Sequence, residues 1–201
     1  MNQMEITKKN LYEFYQKEGL VPTQSNCYEH SHHSKTRLRE IRSMMKDYIK
    51  GHRVLDLGCS EGVISKWIAE SGASLVVGVD ISMPKIERTP KLGNAIFMQG
   101  DWENLPFKRK SFSVVLLAEG LEHALHPDVL IKECMRVSDR IVITVPINET
   151  VRENPLTREG NGHLHTFNKE FIEKLSEKYR IEFYKEDSTH AYVIITDDNA
   201  R

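Results

Sequence analysis

From residue 53 onward, short runs rich in β-branched residues alternate with longer stretches whose apolar positions recur every three or four residues. The first pattern predicts strands and the second predicts helices. Strands are expected over "RVLDLG" (53–58), "SLVVGVD" (74–80), "AIFMQGD" (95–101), "SVVLLAE" (113–119) and "RIVITVPI" (140–147). Helical stretches such as "GVISKWIAESG" (62–72) and "PDVLIKECMRVS" (127–138) lie between them. This order is that of βαβ units joined by right-handed crossovers around a largely parallel sheet, a doubly wound α/β fold. After Pro146 the pattern changes. A polar, turn-rich segment (148–167) leads to a helix (168–179), and then "RIEFYKED" and "AYVIITDD", separated by "STH", read as a hairpin closing the sheet.

Ahead of the first strand, "TRLREIRSMMKDYIK" (36–50) predicts one amphipathic helix. Leu38, Ile41, Met45, Tyr48 and Ile49 fall on one side, and Lys35, Arg39, Arg42, Lys46 and Lys50 on another. The basic edge reads first as a solvated face and second as a track for phosphates. With 201 residues, 39% of them hydrophobic, the chain has material for one ordinary core. We therefore expect a single domain over 35–201, with residues 1–34 as a cap or lid. Its 28 basic and 29 acidic residues give a net charge of −1, so no global field draws it onto nucleic acid or anionic lipid. Three scattered cysteines, Cys27, Cys59 and Cys134, form neither a disulfide framework nor a thiolate metal site. The N-terminus lacks the apolar core of a signal peptide and no later run is long enough to span a bilayer, so a soluble, cytoplasmic protein is expected.

The chemistry begins at "VLDLGCSEG", where the first strand breaks at Gly58 and Gly62 before a helix. Such a turn brings backbone close to a ligand and sets unpaired N–H groups at the helix start behind it, at the strand end where doubly wound sheets bind ligands. The G-x-G-x-x-G spacing of a dinucleotide fingerprint is absent, and Asp56 would repel a diphosphate while suiting a cationic ligand. The second strand ends in Asp80, placed to take ribose hydroxyls. The third is followed by Asp101, an acceptor for an exocyclic amine, and Trp102, an aromatic for the base.

Asp56-x-Gly58-x-x-x-Gly62, Asp80, "GDWENLPF" and "SFSVVLLAEGLEH", in that order, resemble the class I S-adenosylmethionine-dependent methyltransferases over roughly residues 50–196. The resemblance implies a seven-stranded sheet whose last strand is an antiparallel hairpin partner. It implies that Gly58, Cys59 and Gly62 line the methionine part of S-adenosylmethionine, that Asp80 holds the ribose, and that Ile81 packs on the adenine. Asp101 would then meet the adenine amino group beside Trp102, and Glu119 would border the cofactor. Ser60 stands where that family usually has glycine.

In that fold "AEGLEH" (118–123) borders the transferring methyl group. If a helical turn begins near Glu119, then Glu119, Glu122 and His123 share one face. In an extended "GNGHLHTF", His163 and His165 would point the same way and add imidazole ligands. A mixed nitrogen and oxygen set suits Mn, Fe, Co or Zn, with Mg as a further option. The arrangement resembles ubiquinone-pathway catechol O-methyltransferases and, more distantly, the small-RNA 3′-terminal 2′-O-methyltransferases. The metal-free reading makes Glu122 a helix start and His123 a general base or a structural hydrogen bond. Glu29, His30, His32 and His33 read as polar surface, and His126 as a cap or surface residue.

The expected function is methyl transfer to an oxygen of a small molecule, with Glu119, Glu122 and His123 as the catalytic candidates. RNA 2′-O-methylation through helix 35–50 is the competing enzyme reading. A cofactor-binding regulatory protein is the reading from another class.

Overall fold

The computed structural model describes residues 6–17, 32–157 and 162–197. Of the expected lid segment, Cys27, Glu29 and His30 lie outside the described residues, as do the side chains of His32 and His33.

The strands form one seven-stranded sheet in the order β3-β2-β1-β4-β5-β7-β6. They span Arg53–Leu57 (β1), Leu75–Asp80 (β2), Ala95–Gln99 (β3), Val114–Ala118 (β4), Arg140–Pro146 (β5), Arg180–Glu186 (β6) and His190–Thr196 (β7). β1 to β5 are parallel, and β7 runs antiparallel between β5 and β6. The chain therefore has the doubly wound sheet with a C-terminal antiparallel hairpin that its pattern predicts.

Alternate residues of the central strands feed two cores, one on each face. Leu55, Val77, Val115, Leu117 and Ile143 pack with α5 (Pro127–Val137) and α6 (Lys169–Lys178). Val54, Val76, Val114, Leu116 and Val142 pack with α2 (His32–Met45) and α3 (Val63–Glu70). Each such side chain contributes roughly 1.5–3 kcal/mol by leaving water, which is why the strands read as unbroken apolar runs. A glycine in the middle of β2 has a packing reason. A Cβ on Gly78 would lie 2.5 Å from the ring of Phe97 and 2.9 Å from Cys59 Sγ, so only hydrogen lets that ring cross the sheet there.

The expected helix 36–50 differs from the structure at both ends. It begins at His32, stops at Met45, and passes through a 3-10 turn, Lys46–Tyr48, before Gly51 takes φ +75°. Ile41, Met45 and Ile49 are buried as its pattern requires, Leu38 and Tyr48 are half-buried, Met44 outside that face is buried as well, and Lys35, Arg39, Arg42, Lys46 and Lys50 are exposed. Arg39 and Lys185 meet Glu40, and Arg42 stacks on Trp67.

Between Gln16 and Ile81, and between Lys8 and Asp101, the N-terminal helix α1 (Lys8–Gln16) is tied to the carboxyl edge of the sheet. Thr7 and Asn10 form a reciprocal capping box at its start. Leu11, Phe14 and Tyr15, one apolar stripe at helical spacing, pack with Ile81, Leu156 and Leu164. No helix among the described residues is long and apolar enough to cross a membrane.

Candidate active site

β1 ends in a loop that three residues hold in the left-handed region: Gly58 (φ +74°), Ser60 (φ +51°) and Gly62 (φ +76°). The two glycines adopt this freely, whereas Ser60 does so at roughly 1–3 kcal/mol. Gly62 has a second constraint, since a Cβ there would come within 2.9 Å of Phe97. Asp80 secures the loop, accepting the Ser60 N–H and the Ser82 N–H at 2.8 Å each. Burial raises its carboxyl above the usual range, opposed by Lys85 and those N–H groups. Asp56, expected to face a cationic ligand, lies instead beneath the loop. It is 2% exposed and accepts the Ser65 hydroxyl at 2.5 Å, and burial raises its carboxyl to about 6. Cys59 is buried and its thiol is pushed up by burial and by Asp56, so it is a small packing group rather than a nucleophile.

Beyond the loop lies a cavity of about 320 Å³, within the range of small-molecule sites (roughly 300–1,000 Å³). Its walls include Leu11, Tyr12 and Tyr15 of α1, with Ile81, Trp102 and His123 from the strand ends. Trp102 packs over Gly58, where a Cβ would be 3.6 Å from the ring. Asp101 also lines the cavity, but its carboxylate is half exposed and paired with Lys8 Nζ at 2.8 Å. Two buried donors lack a partner among the described residues: Trp102 Nε1, on a residue that lines the cavity, and Ser60 Oγ, in the loop. Buried polar groups are normally satisfied, so these atoms mark a place that a polar ligand completes. Of the residues expected to hold a cofactor, Ile81, Asp101 and Trp102 line this cavity, whereas Asp80 and the N–H groups of Gly58, Cys59, Ser60 and Gly62 are engaged within the loop and with Val79 behind it.

The acidic and imidazole residues divide differently from the expected single helical face. The turn after β4 is a 3-10 turn covering only Leu121–His123, and Glu119 precedes it at φ +53°. Glu119 is engaged by partners that Glu122 does not share. Its Oε2 accepts from Arg37 Nη1 at 3.0 Å and pairs with His190 Nε2 at 3.0 Å, and its Oε1 accepts from Thr144 Oγ1 at 2.9 Å. Burial alone would raise this carboxyl, but His190, Arg37 and Thr144 hold it below the usual range. With both oxygens engaged, Glu119 is a brace joining α2, β4, β5 and β7, not a candidate ligand.

Glu122 is the opposite case. It is fully buried, and neither carboxylate oxygen has a partner among the described residues. Burial, with the nearby Glu119, raises its carboxyl well above the usual range. Glu122, His123 and His163 can each offer one ligand atom within 4.8 Å of the others. His165 is not in this group: its Nε2 donates to the Ala124 carbonyl at 2.9 Å. The Leu164 N–H donates to the Glu122 carbonyl at 2.7 Å, which lays the 162–165 segment beside the turn and sets His163, rather than His165, over it.

Hydrogen bonds orient both imidazoles. His123 Nδ1 is 3.0 Å from the Gly162 carbonyl and 2.8 Å from Tyr15 Oη; with the proton on Nδ1 it donates to the carbonyl and Nε2 keeps the lone pair. His163 Nδ1 meets Glu149 Oε2 at 2.7 Å. Donation from the rear nitrogen to a carbonyl or carboxylate is how proteins orient metal-binding imidazoles. Burial and His163 push His123 down to about 4, so its lone pair is available at neutral pH. The pattern "NLYEFYQ" was the only trace in the sequence of Tyr15 and its neighbours, and Arg37, His190 and Glu149 left none.

A seven-stranded sheet of this order, with a glycine loop, a buried acid and a ligand-sized cavity at its carboxyl edge, defines the class I methyltransferase fold. Residues 55–140 match the methyltransferase domain family. The ubiquinone biosynthesis O-methyltransferase of Neisseria meningitidis is 30% identical over 128 residues, covering 56% of this chain and 53% of that protein. The ubiquinone/menaquinone biosynthesis C-methyltransferase UbiE of Pseudomonas paraeruginosa is 34% identical over 96 residues, 43% of this chain and 38% of that protein. The chain thus spans about half or less of these curated relatives. Among solved structures, magnesium protoporphyrin IX methyltransferase (ChlM) from Synechocystis with bound SAH superimposes with a TM-score of 0.72 at 16% identity, over 96% of this chain and all of that one. Residues 55–140 thus carry a methyltransferase domain on the class I fold, and the chain is similar to S-adenosylmethionine-dependent methyltransferases. Fold alone does not dictate the reaction, for the [4+2]-cyclase SpnF matches with a TM-score of 0.69 at 14% identity, over 82% of each chain.

Proposed function

We propose that the protein transfers a methyl group from S-adenosylmethionine to an oxygen of a small-molecule acceptor, with a divalent cation held by Glu122, His123 and His163. The observation that carries this reading is Glu122, a fully buried carboxyl without a partner among the described residues, with ligand atoms of His123 and His163 within 4.8 Å. A buried charge is normally paired or coordinates a metal.

In this reading the cofactor supplies an electrophilic methyl group, and the chain's task is to place the acceptor in line with it. Gly58, Ser60 and Gly62 hold the methionine arm, Asp80 the ribose hydroxyls, and Ile81 and Trp102 the base. The amino group of the base would take Asp101 from Lys8. A cation on Glu122, His123 and His163 would lower the pKa of an acceptor hydroxyl, which is otherwise a poor nucleophile at neutral pH. The set of one carboxylate and two imidazoles suits Mn, Fe, Co or Zn. α1 closes the cavity as a lid, and its Leu11 and Tyr12 keep water from the reacting atoms.

The test is label transfer from methyl-labelled S-adenosylmethionine into a metabolite extract, with and without a chelator. Labelled methyl ethers that vanish on chelation and return with Mn²⁺ are expected. A carbon-methylated product, suggested by the name of the second relative, would move the acceptor from oxygen to carbon. Label in RNA would transfer the role to the exposed basic edge of α2. Cofactor binding without turnover would leave a regulatory protein.

A further inference from the structure

We propose that Tyr15, on the N-terminal helix, is the positioning residue of His123: its hydroxyl and the Gly162 carbonyl together hold the imidazole with Nδ1 protonated and Nε2 presented to the cavity. This rests on His123 acting through Nε2, as proposed above. Tyr15 Oη lies 2.8 Å from His123 Nδ1, and the Gly162 carbonyl lies 3.0 Å from the same nitrogen. A single proton on Nδ1 satisfies both only if both oxygens accept, so Tyr15 takes the acceptor role. A hydroxyl can do this because it carries two lone pairs beside its donor.

Three features make the contact a built one. Tyr15 is 7% exposed, and its ring meets Phe14 edge-on at 5.0 Å and His123 edge-on at 5.9 Å, so its rotamer is set by packing. Burial raises its phenol, which stays neutral in the physiological range. The helix that carries it is pinned at both ends. Lys8 Nζ reaches Asp101 at 2.8 Å and Glu103 at 3.3 Å, while Gln16 donates to the Ile81 carbonyl at 2.7 Å and accepts the Met83 N–H at 3.2 Å. The third is Gly162, at φ +79°, where a Cβ would lie 2.6 Å from the Tyr15 hydroxyl and 3.3 Å from His123 Nδ1. Only glycine lets the 162–165 segment pass close enough for its carbonyl and Tyr15 to share one N–H.

The experiment uses the full chain with ¹⁵N-labelled histidine. Long-range imidazole correlations of the wild type near pH 7 should show His123 with Nδ1–H and an unprotonated Nε2. Tyr15→Phe keeps the ring and its packing while removing the hydroxyl. In that variant the Nδ1 proton should exchange with solvent at least tenfold faster. Mn²⁺ should bind about tenfold more weakly, and kcat should fall about tenfold with KM for S-adenosylmethionine changed less than twofold. An Nε2–H tautomer in the wild type would overturn the proposal, because Tyr15 would then be donating. So would a Tyr15→Phe protein whose exchange rate, Mn²⁺ affinity and kcat all stay within twofold of the wild type. The tautomer and exchange rate are read without turnover or metal, so an inactive wild type would count against the proposed function alone.

Discussion

Glu122→Gln replaces an ionisable carboxyl by an amide of almost the same volume at a position with no exposed surface, which makes it the sharpest probe of the site. Without a cation, burial and the nearby Glu119 raise the wild-type carboxyl and favour its neutral form. A group raised on folding contributes stability at low pH that is lost as pH rises through its folded pKa, so the metal-free wild type should weaken on the alkaline side. The glutamine variant has nothing to ionise and should be flatter. A cation reverses the cost in the wild type. At a free concentration 100 times its Kd, binding to the native state adds about 2.7 kcal/mol. For a chain of this size each kcal/mol moves Tm by roughly 2–4 °C, so a rise of about 5–10 °C is expected. If loss of the carboxylate weakens binding 100-fold, the same concentration equals the variant's Kd, the gain drops to about 0.4 kcal/mol, and Tm moves by only ~1 °C. Differential scanning calorimetry in Mn²⁺, Co²⁺ and Zn²⁺ series, each against a chelated control, measures both numbers. A wild-type Tm that ignores all three metals at millimolar concentration would falsify the metal site, as would an equal rise in Glu122→Gln.

Asp80→Asn offers an amide hydrogen where two backbone N–H groups now converge on a carboxylate. It should weaken S-adenosylmethionine binding at least tenfold by titration calorimetry and cost about 1–3 kcal/mol in urea unfolding; unchanged affinity would remove Asp80 from the ribose site. Gly78→Ala puts a methyl 2.5 Å from the Phe97 ring and should cost roughly 1–3 kcal/mol, with Phe97→Leu recovering part of it in the double variant. The acid side of the stability profile sets two groups against each other. His123, lowered by burial to about 4, removes up to about 3 kcal/mol as pH falls from about 6.5 to 4, because the unfolded chain then binds its proton first. Asp56, raised by burial to about 6, restores about as much as pH falls through 6. Asp56→Asn should therefore steepen the loss between pH 6 and 4, and a parallel profile would contradict this balance.

Much of the fold was legible in the sequence because the central strands are buried on both faces. Each then needs an unbroken apolar run, and runs such as "VVLLA" and "IVITV" can hardly be read otherwise. The loop at Gly58 and Gly62, with Asp80 a strand later, was legible for a related reason: these positions are set by backbone geometry, and backbone constraints leave residue-type signatures at fixed spacing. The helix 36–50 was right in its buried face and wrong in its ends, since Met45 gives way to a 3-10 turn without a proline or cap residue to announce it.

The division of the acidic and histidine residues was not legible. Adjacent in sequence, Glu119 and Glu122 suggested one helical face, yet a left-handed φ at Glu119 sends the two carboxyls to opposite duties. One is bound by Arg37, Thr144 and His190, which come from three distant segments; the other is left bare beside His123 and His163. The sequence by itself determined which chemical groups reach the carboxyl edge of the sheet, because strand order and crossover handedness bring every strand end to one side. Which of those groups remain available for a ligand was decided only by the tertiary structure. Availability depends on partners 39 to 108 residues away, such as Gly162 and Tyr15 on His123, and no local pattern records a hydrogen bond made across the fold.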